Sequence, residues 1–220
     1  MKITQERFVR EFKKQLAEKF ALDVKDAAPI ELYQTLVSVV KSGYSEIWRN
    51  TWKSYVKNDQ KQVYYFSIEF LPGRLLKSNL LNMGWYDVVD KGLKQMGLSL
   101  DKISESEVDM ALGNGGLGRL ASCFMDALAS DGLPGNGNGI RYKYGLYRIG
   151  FPNECLTDGN NWAVARESKA VDVLMGGQVH LIDNGKYLEA IYEGADVIKA
   201  VPYDTGIVGY RNDHVNTMRL

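Results

Sequence analysis

LGNGGLGRLASCFMDALASDGLPGNGNG, residues 112–139, gathers eight of the chain's 22 glycines around one amphipathic stretch, Arg119–Ser130. Gly113-Asn114-Gly115-Gly116-Leu117-Gly118 satisfies G-x-G-x-x-G and opens what the apolar spacing predicts to be a helix. Glycines there let backbone N–H groups approach a phosphate, and a helix N-terminus adds partial positive charge. A dinucleotide site needs more. The preceding VDMAL is a poor strand, and about 20 residues onward, where an acidic ribose partner belongs, the text reads GNGNGIRY. A nicotinamide-dependent oxidoreductase therefore rests on the glycine motif alone. The P-loop reading fails because no Gly-Lys-Ser/Thr follows. Tight turns and close helix–sheet packing are the structural alternative to an anion site. Gly135, Gly137 and Gly139 read as a loop feeding a strand.

Outward from this segment the chain reads as α/β. Phe8, Phe12, Leu16 and Phe20 recur every four residues on a first helix. A second is predicted from near Asp26, with Pro29 in its first turn and Gly43 as an interruption. Its aromatics Tyr44, Trp48, Trp52 and Tyr55 are expected to pack. VYYFSIEFL reads as a strand covered on both faces. GRLLKSNLLNM and WYDVVDKGLKQMG are helical, and ISESEVDMA is a short acidic helix or turn. Beyond the glycines, GIRYKYGLYRI and VIKAVPYDT read as strands, and Asn184-Gly185 between alternating runs marks a hairpin. Helices, then strand–helix–strand, then a hairpin make a mixed sheet.

Composition narrows the function. Lys plus Arg equals Asp plus Glu at 27 each, which disfavours nucleic acid or an anionic membrane as main partner. Cys123 and Cys155 are too few for a disulfide framework and lack metal-ligand spacing. A cytoplasmic, reducing setting is the default, and no metal site is expected. MKITQERFVREFKKQ is not a signal peptide, and no apolar run approaches the roughly 20 residues of a membrane span. Glu69 ends an apolar run and needs a partner, either Arg74 or the polar groups of a pocket. His180 and His214, the only histidines, have no triad or zinc partners at motif spacing. His180 reads as a surface residue of a sheet.

YYFSIEFLPGRLL, LGNGGLGRLASCFMDALASDGLPGNGNGIRYKYG and VPYDTGIVGYRNDHVNTMRL, in that order, resemble the α-1,4-glucan phosphorylases (glycogen, starch and maltodextrin phosphorylases). The resemblance runs from about residue 25 to Leu220, and the short N-terminal segment suggests a bacterial branch. It implies a retaining glycosyltransferase of two Rossmann-like domains that moves glucose from an α-1,4-glucan to inorganic phosphate. The implied cofactor is pyridoxal 5′-phosphate, whose phosphate relays a proton. Gly115, Gly116, Leu117 and Gly118 match the family's substrate- and cofactor-phosphate loop, and Glu69 matches a cleft carboxylate. Arg74 and Arg119 match family positions expected to be structural.

Two departures stand out. GFPNECLTDGNNWA fits the family pattern only at Asn161-Trp162, and Leu71-Pro72 replace larger residues. The reading is then residues 1–60 as a helical segment and 61–220 as an incomplete N-terminal α/β domain, with the cofactor lysine and the C-terminal domain beyond Leu220. Such a fragment is expected to be inactive and homo-oligomeric. The alternative is a non-catalytic glucan-binding or dimerisation module.

Overall fold

The computed structural model describes residues 2–110, 112–142 and 161–220, and these form two compact units. The first comprises residues up to Ala163 together with Thr205–Leu220, and the second Val164–Asp204.

Helices open the first unit. α1 spans Gln5–Phe20; Thr4 caps it by accepting from Arg7 N–H, and Ala21 in the left-handed region closes it. Phe8, Phe12 and Leu16 are fully buried, as the four-residue spacing demands. α2 runs Pro29–Lys57 with proline in its first turn, and the Glu31 carboxylate reaches back 2.8 Å to Ala28 N–H. Gly43 does not interrupt it. A Cβ there would stand 2.3 Å from the Trp85 ring, so the glycine is a contact surface rather than a break. Of the four aromatics expected to pack, Tyr44 and Tyr55 are buried, Trp48 is partly buried and donates to Thr217 Oγ1 at 2.8 Å, but Trp52 is exposed.

Short helices complete the cluster: α3 (Leu76–Asn82), α4 (Tyr86–Gln95) and α5 (Leu100–Ser104). Gly92 of α4 touches α1, since a Cβ on it would lie 2.5 Å from Phe8 Cδ1.

The sheet departs from the sequence reading in four places. β1 is only Val63–Phe66, and it lies at the edge of the sheet with Val63, Tyr64 and Phe66 exposed, not covered on both faces. α6 (Gly116–Ser130) begins inside the glycine motif. β2 is Gly135–Asn138, a strand where a loop was expected. It pairs in parallel with β1 on one side and on the other with β9 (Val215–Arg219), a strand without a forecast. Packing explains β2. A Cβ on Gly137 would press Met125 Sδ and the Phe70 ring at 3.3 Å, and one on Gly139 would strike Ser67 C=O at 2.5 Å. Finally, VIKAVPYDT divides into β7 (Asp196–Ala200) and β8 (Tyr203–Val208), with Pro202 in the gap. β8 runs from the second unit into the first, where it neighbours β9.

The second unit is ribbon apart from a single 3-10 turn at Glu167–Lys169. β3 (Val164–Ala165) pairs antiparallel with Asp204 and Tyr203, and Arg166 Nε meets the buried Asp204 carboxylate at 2.9 Å. β4 (Val171–Met175) pairs with β7, and β5 (Gln178–Asp183) with β6 (Leu188–Glu193), both antiparallel. The hairpin predicted at Asn184-Gly185 is present: Asn184 Oδ1 accepts from Lys186 and Tyr187 N–H, and Gly185 takes φ +83°. His180 on β5 is exposed, 3.5 Å from Glu193. Of GIRYKYGLYRI and GFPNECLTDGNNWA, the parts within 143–160, including Cys155, lie outside the described residues.

Candidate functional site

The glycine segment is braced against the chain that follows β1. Phe70 N–H donates to Leu112 C=O at 2.9 Å and Leu71 N–H to Gly118 C=O at 3.0 Å. Ser67 folds that chain on itself, its Oγ donating to Glu69 C=O at 2.6 Å and accepting from Glu69 N–H at 3.2 Å. Half-buried Glu69 turns to the glycines: its Oε2 accepts from Asn114 N–H at 3.3 Å. It makes no ion pair with Arg74. Arg119 Nη1 lies 3.3 and 3.4 Å from the carbonyls of Leu71 and Pro72 and fastens α6 to the same loop.

The motif's glycines divide by what surrounds them. A Cβ on Gly113 would crowd Leu71 at 3.0 Å, and one on Gly118 would crowd Glu69 at 3.1 Å. These two are needed for close packing. Gly115 and Gly116 have nothing within 4 Å of a built Cβ. No side chain caps α6, and its first internal bond is Arg119 N–H to Gly115 C=O at 3.1 Å. Gly116, Leu117 and Gly118 therefore carry the orphan amides of a helix N-terminus, beside a half-buried carboxylate. The arrangement can hold an anion and can set a carboxylate against a polar ligand.

Two polar clusters escaped the sequence reading. Glu107, buried at 3% exposure, accepts from the N–H groups of Leu75 (2.8 Å) and Leu76 (3.1 Å) and from Trp162 Nε1 (2.8 Å). Burial holds its carboxyl above the usual range despite those donors and the nearby charge of Arg74. Burial and the Glu107 charge together push the Tyr33 hydroxyl up. The second cluster ties α2 to β9: Tyr55 Oη lies 2.6 Å from His214 Nε2 and donates to Asn216 Oδ1 at 2.8 Å, while Asn216 Nδ2 donates to Leu133 C=O at 2.9 Å. His214 thus joins elements rather than a catalytic group. Nothing local in ISESEVDMA or RNDHVN signals either cluster, because each is completed by residues more than 30 positions away in sequence.

Among the described residues, no group of three His, Cys, Asp or Glu side chains could hold a metal ion, and no helix is long and apolar enough to cross a membrane. Cys123 is a free, exposed thiol.

A mixed α/β fold with a glycine-opened helix braced by an acidic loop defines the class. The family described as carbohydrate phosphorylase matches residues 93–220. The chain is 44% identical over 225 residues to glycogen phosphorylase of Bacillus subtilis (strain 168), covering 99% of this chain and 28% of that protein. It is 41% identical over 206 residues to glycogen phosphorylase of Chlamydia pneumoniae (89% and 25%), and 37% identical over 220 residues to the human brain form of glycogen phosphorylase (96% and 26%). The chain belongs to the carbohydrate phosphorylase family, and it spans about a quarter of the length of these relatives.

Proposed function

We propose that the chain supplies the N-terminal part of an α-1,4-glucan phosphorylase, the whole enzyme releasing glucose 1-phosphate from glycogen or maltodextrin with inorganic phosphate. The carrying observation is the open space at Gly115 and Gly116 beside the orphan amides of α6. Donors fixed before reaction stabilise developing phosphate charge best, since they need no reorganisation. A side chain at either glycine would fill the approach. Glu69 holds the loop through Asn114 N–H and presents a carboxylate at its margin.

The residues present fit the phosphate end of pyridoxal 5′-phosphate. Gly116, Leu117 and Gly118 would offer it amide donors, whereas residues 67–72 and 112–119 contain no lysine that could form a Schiff base. When bound, the cofactor supplies a phosphate that relays a proton to the substrate phosphate. This chain's part is to hold anions, orient the glucan end and exclude water along one wall of the cleft. The working setting is the cytoplasm, the partners are glucan and phosphate, and residues 61–220 form the incomplete α/β domain.

By itself the chain is then inactive. The test joins it to the remaining portion of the Bacillus subtilis relative and assays maltodextrin, phosphate and pyridoxal phosphate for glucose 1-phosphate. The joined protein should be active and the lone chain silent, with Gly116→Val lowering the joined rate about 100-fold or more. Product from the lone chain, or unchanged rate in Gly116→Val, overturns the reading.

A further inference from the structure

Two segments build the candidate site, residues 67–76 and 107–119, and their described residues form no helix or strand before α3 and α6 begin. The second holds four glycines between positions 113 and 118, so its shape is imposed by its neighbours. At the site end the two are joined by Phe70 N–H to Leu112 C=O, Leu71 N–H to Gly118 C=O, Asn114 N–H to Glu69 Oε2, and Arg119 Nη1 on the carbonyls of Leu71 and Pro72. At the other end Glu107 joins them. Its Oε1 accepts from Leu75 N–H at 2.8 Å and Leu76 N–H at 3.1 Å, and its Oε2 from Leu76 N–H at 3.1 Å. Trp162 Nε1 donates to the same Oε1 at 2.8 Å. Leu75, Leu76 and Trp162 are buried with Glu107 and all lie in the first unit, so the tie is interior to it.

Burying a carboxylate is costly, and fastening a loop to a short helix does not by itself call for a charge. What a carboxylate adds is two oxygens that only accept. Both reach Leu76 N–H, which fixes the direction of the tie as well as its length. An amide of the same shape would turn a donor toward the α3 amides and lose that grip. Only four residues separate Leu75 from Leu71, and five separate Glu107 from Leu112, so a slip at this tie passes directly to the site.

We propose, on the phosphorylase reading above, that Glu107 is a positioning residue for the anion loop. By tying the start of α3 to the glycine segment it sets the distance between the Glu69 carboxylate and the Gly116, Leu117 and Gly118 amides, and with it phosphate binding and turnover. Glu107 touches no substrate and acts through those groups. A misplacement of about 1 Å in such a constellation lowers rate up to about 100-fold.

The test is phosphorolysis by the chain joined to the remaining portion of the Bacillus subtilis relative, with each variant assayed where its circular dichroism is native. Glu107→Gln should lower kcat about tenfold and raise the KM for inorganic phosphate about tenfold, with the KM for maltodextrin within about twofold. Trp162→Phe withdraws one donor and leaves the carboxylate. It should move the same two constants the same way by about two- to threefold, and it serves if the glutamine variant does not fold. Val89→Ala, a core truncation in α4 outside both segments, lowers stability and should leave all three constants unchanged. Amide exchange in the same joined proteins follows the positioning without activity. The Phe70 and Leu71 amides should exchange about fivefold faster relative to those of α2 in Glu107→Gln, and not in Val89→Ala. Constants unchanged in both Glu107→Gln and Trp162→Phe overturn the proposal, as do equal changes in Val89→Ala or a rise in the maltodextrin KM alone. An unaltered joined protein that makes no glucose 1-phosphate overturns the phosphorylase reading instead, and the exchange rates then decide whether Glu107 positions the loop.

Discussion

In the first unit Phe8, Phe12, Leu16, Leu36 and Leu93 are wholly enclosed; in the second, every residue from Val171 to Gly194 is exposed. Both are regular. The ribbon holds its register because alternation and an Asn-Gly turn specify pairing locally: Val179, Leu181 and Leu188, for example, share one face of β5–β6 with Tyr192. What alternation does not supply is burial, and a two-stranded hairpin without it is marginal in water. Regular backbone and a core are separate achievements of a sequence, and this chain carries one of each.

Substitutions that probe the two units should therefore differ in size. The largest loss is expected at Gly209 in the turn between β8 and β9, where a Cβ would lie 2.2 Å from Ala129 C=O. Backbone there cannot yield cheaply, and Gly209→Ala should cost about 3 kcal/mol by urea unfolding. An unchanged midpoint would show that the first unit is looser than its packing implies.

Next comes Glu107→Gln, which leaves one acceptor oxygen for three donors and should cost about 2 kcal/mol at neutral pH. The pH dependence sharpens it. Because the folded carboxyl is held above its ordinary value of 4.5, the folded state binds the extra proton, and the native chain loses stability as pH rises through that interval. The glutamine variant does not titrate there, so its deficit should be larger near pH 4 than at pH 7. A deficit that grows with pH instead would mean the charged form is favoured.

Gly43→Ala follows. Helix propensity gains about 1 kcal/mol, but the new methyl meets Trp85 at 2.3 Å and Met83 at 2.9 Å. A net loss of about 1 kcal/mol is expected from thermal unfolding, and a gain would break the idea that this glycine is a contact surface. Smallest of all, Leu181→Thr on β5 should change global unfolding by no more than about 0.5 kcal/mol. A larger effect would mean that the ribbon's apolar face is buried in solution.

Legibility followed locality. The four-residue spacing of Phe8, Phe12 and Leu16, the proline that opens α2 and the Asn184-Gly185 turn are local signals, and each appears where the pattern put it. The glycine motif also announced the start of α6. β2 could not be read, because Gly135-Asn136-Gly137-Asn138 has the composition of a turn; only the approach of Met125, Phe70 and Ser67 makes it a strand. VYYFSIEFL read as fully covered because its composition is that of a buried parallel strand, yet within this chain one edge and one face of β1 stay open. At the candidate site, Gly113, Gly115, Gly116 and Gly118 read alike in sequence. Neighbours distant in the chain separate the two that pack from the two that are open.

The glycine strand has a kinetic consequence. β2 has no side chain at Gly135 or Gly137 to hold it extended, and its partners begin 72 positions earlier at Val63 and end 81 positions later at Arg219. A segment with no preference of its own and only remote partners joins the nucleus late, since loop closure must precede any reward from pairing. Refolding should then show helix signal well before the amides of residues 135–138 become protected, and the last event in building the sheet is the capture of its least sticky strand.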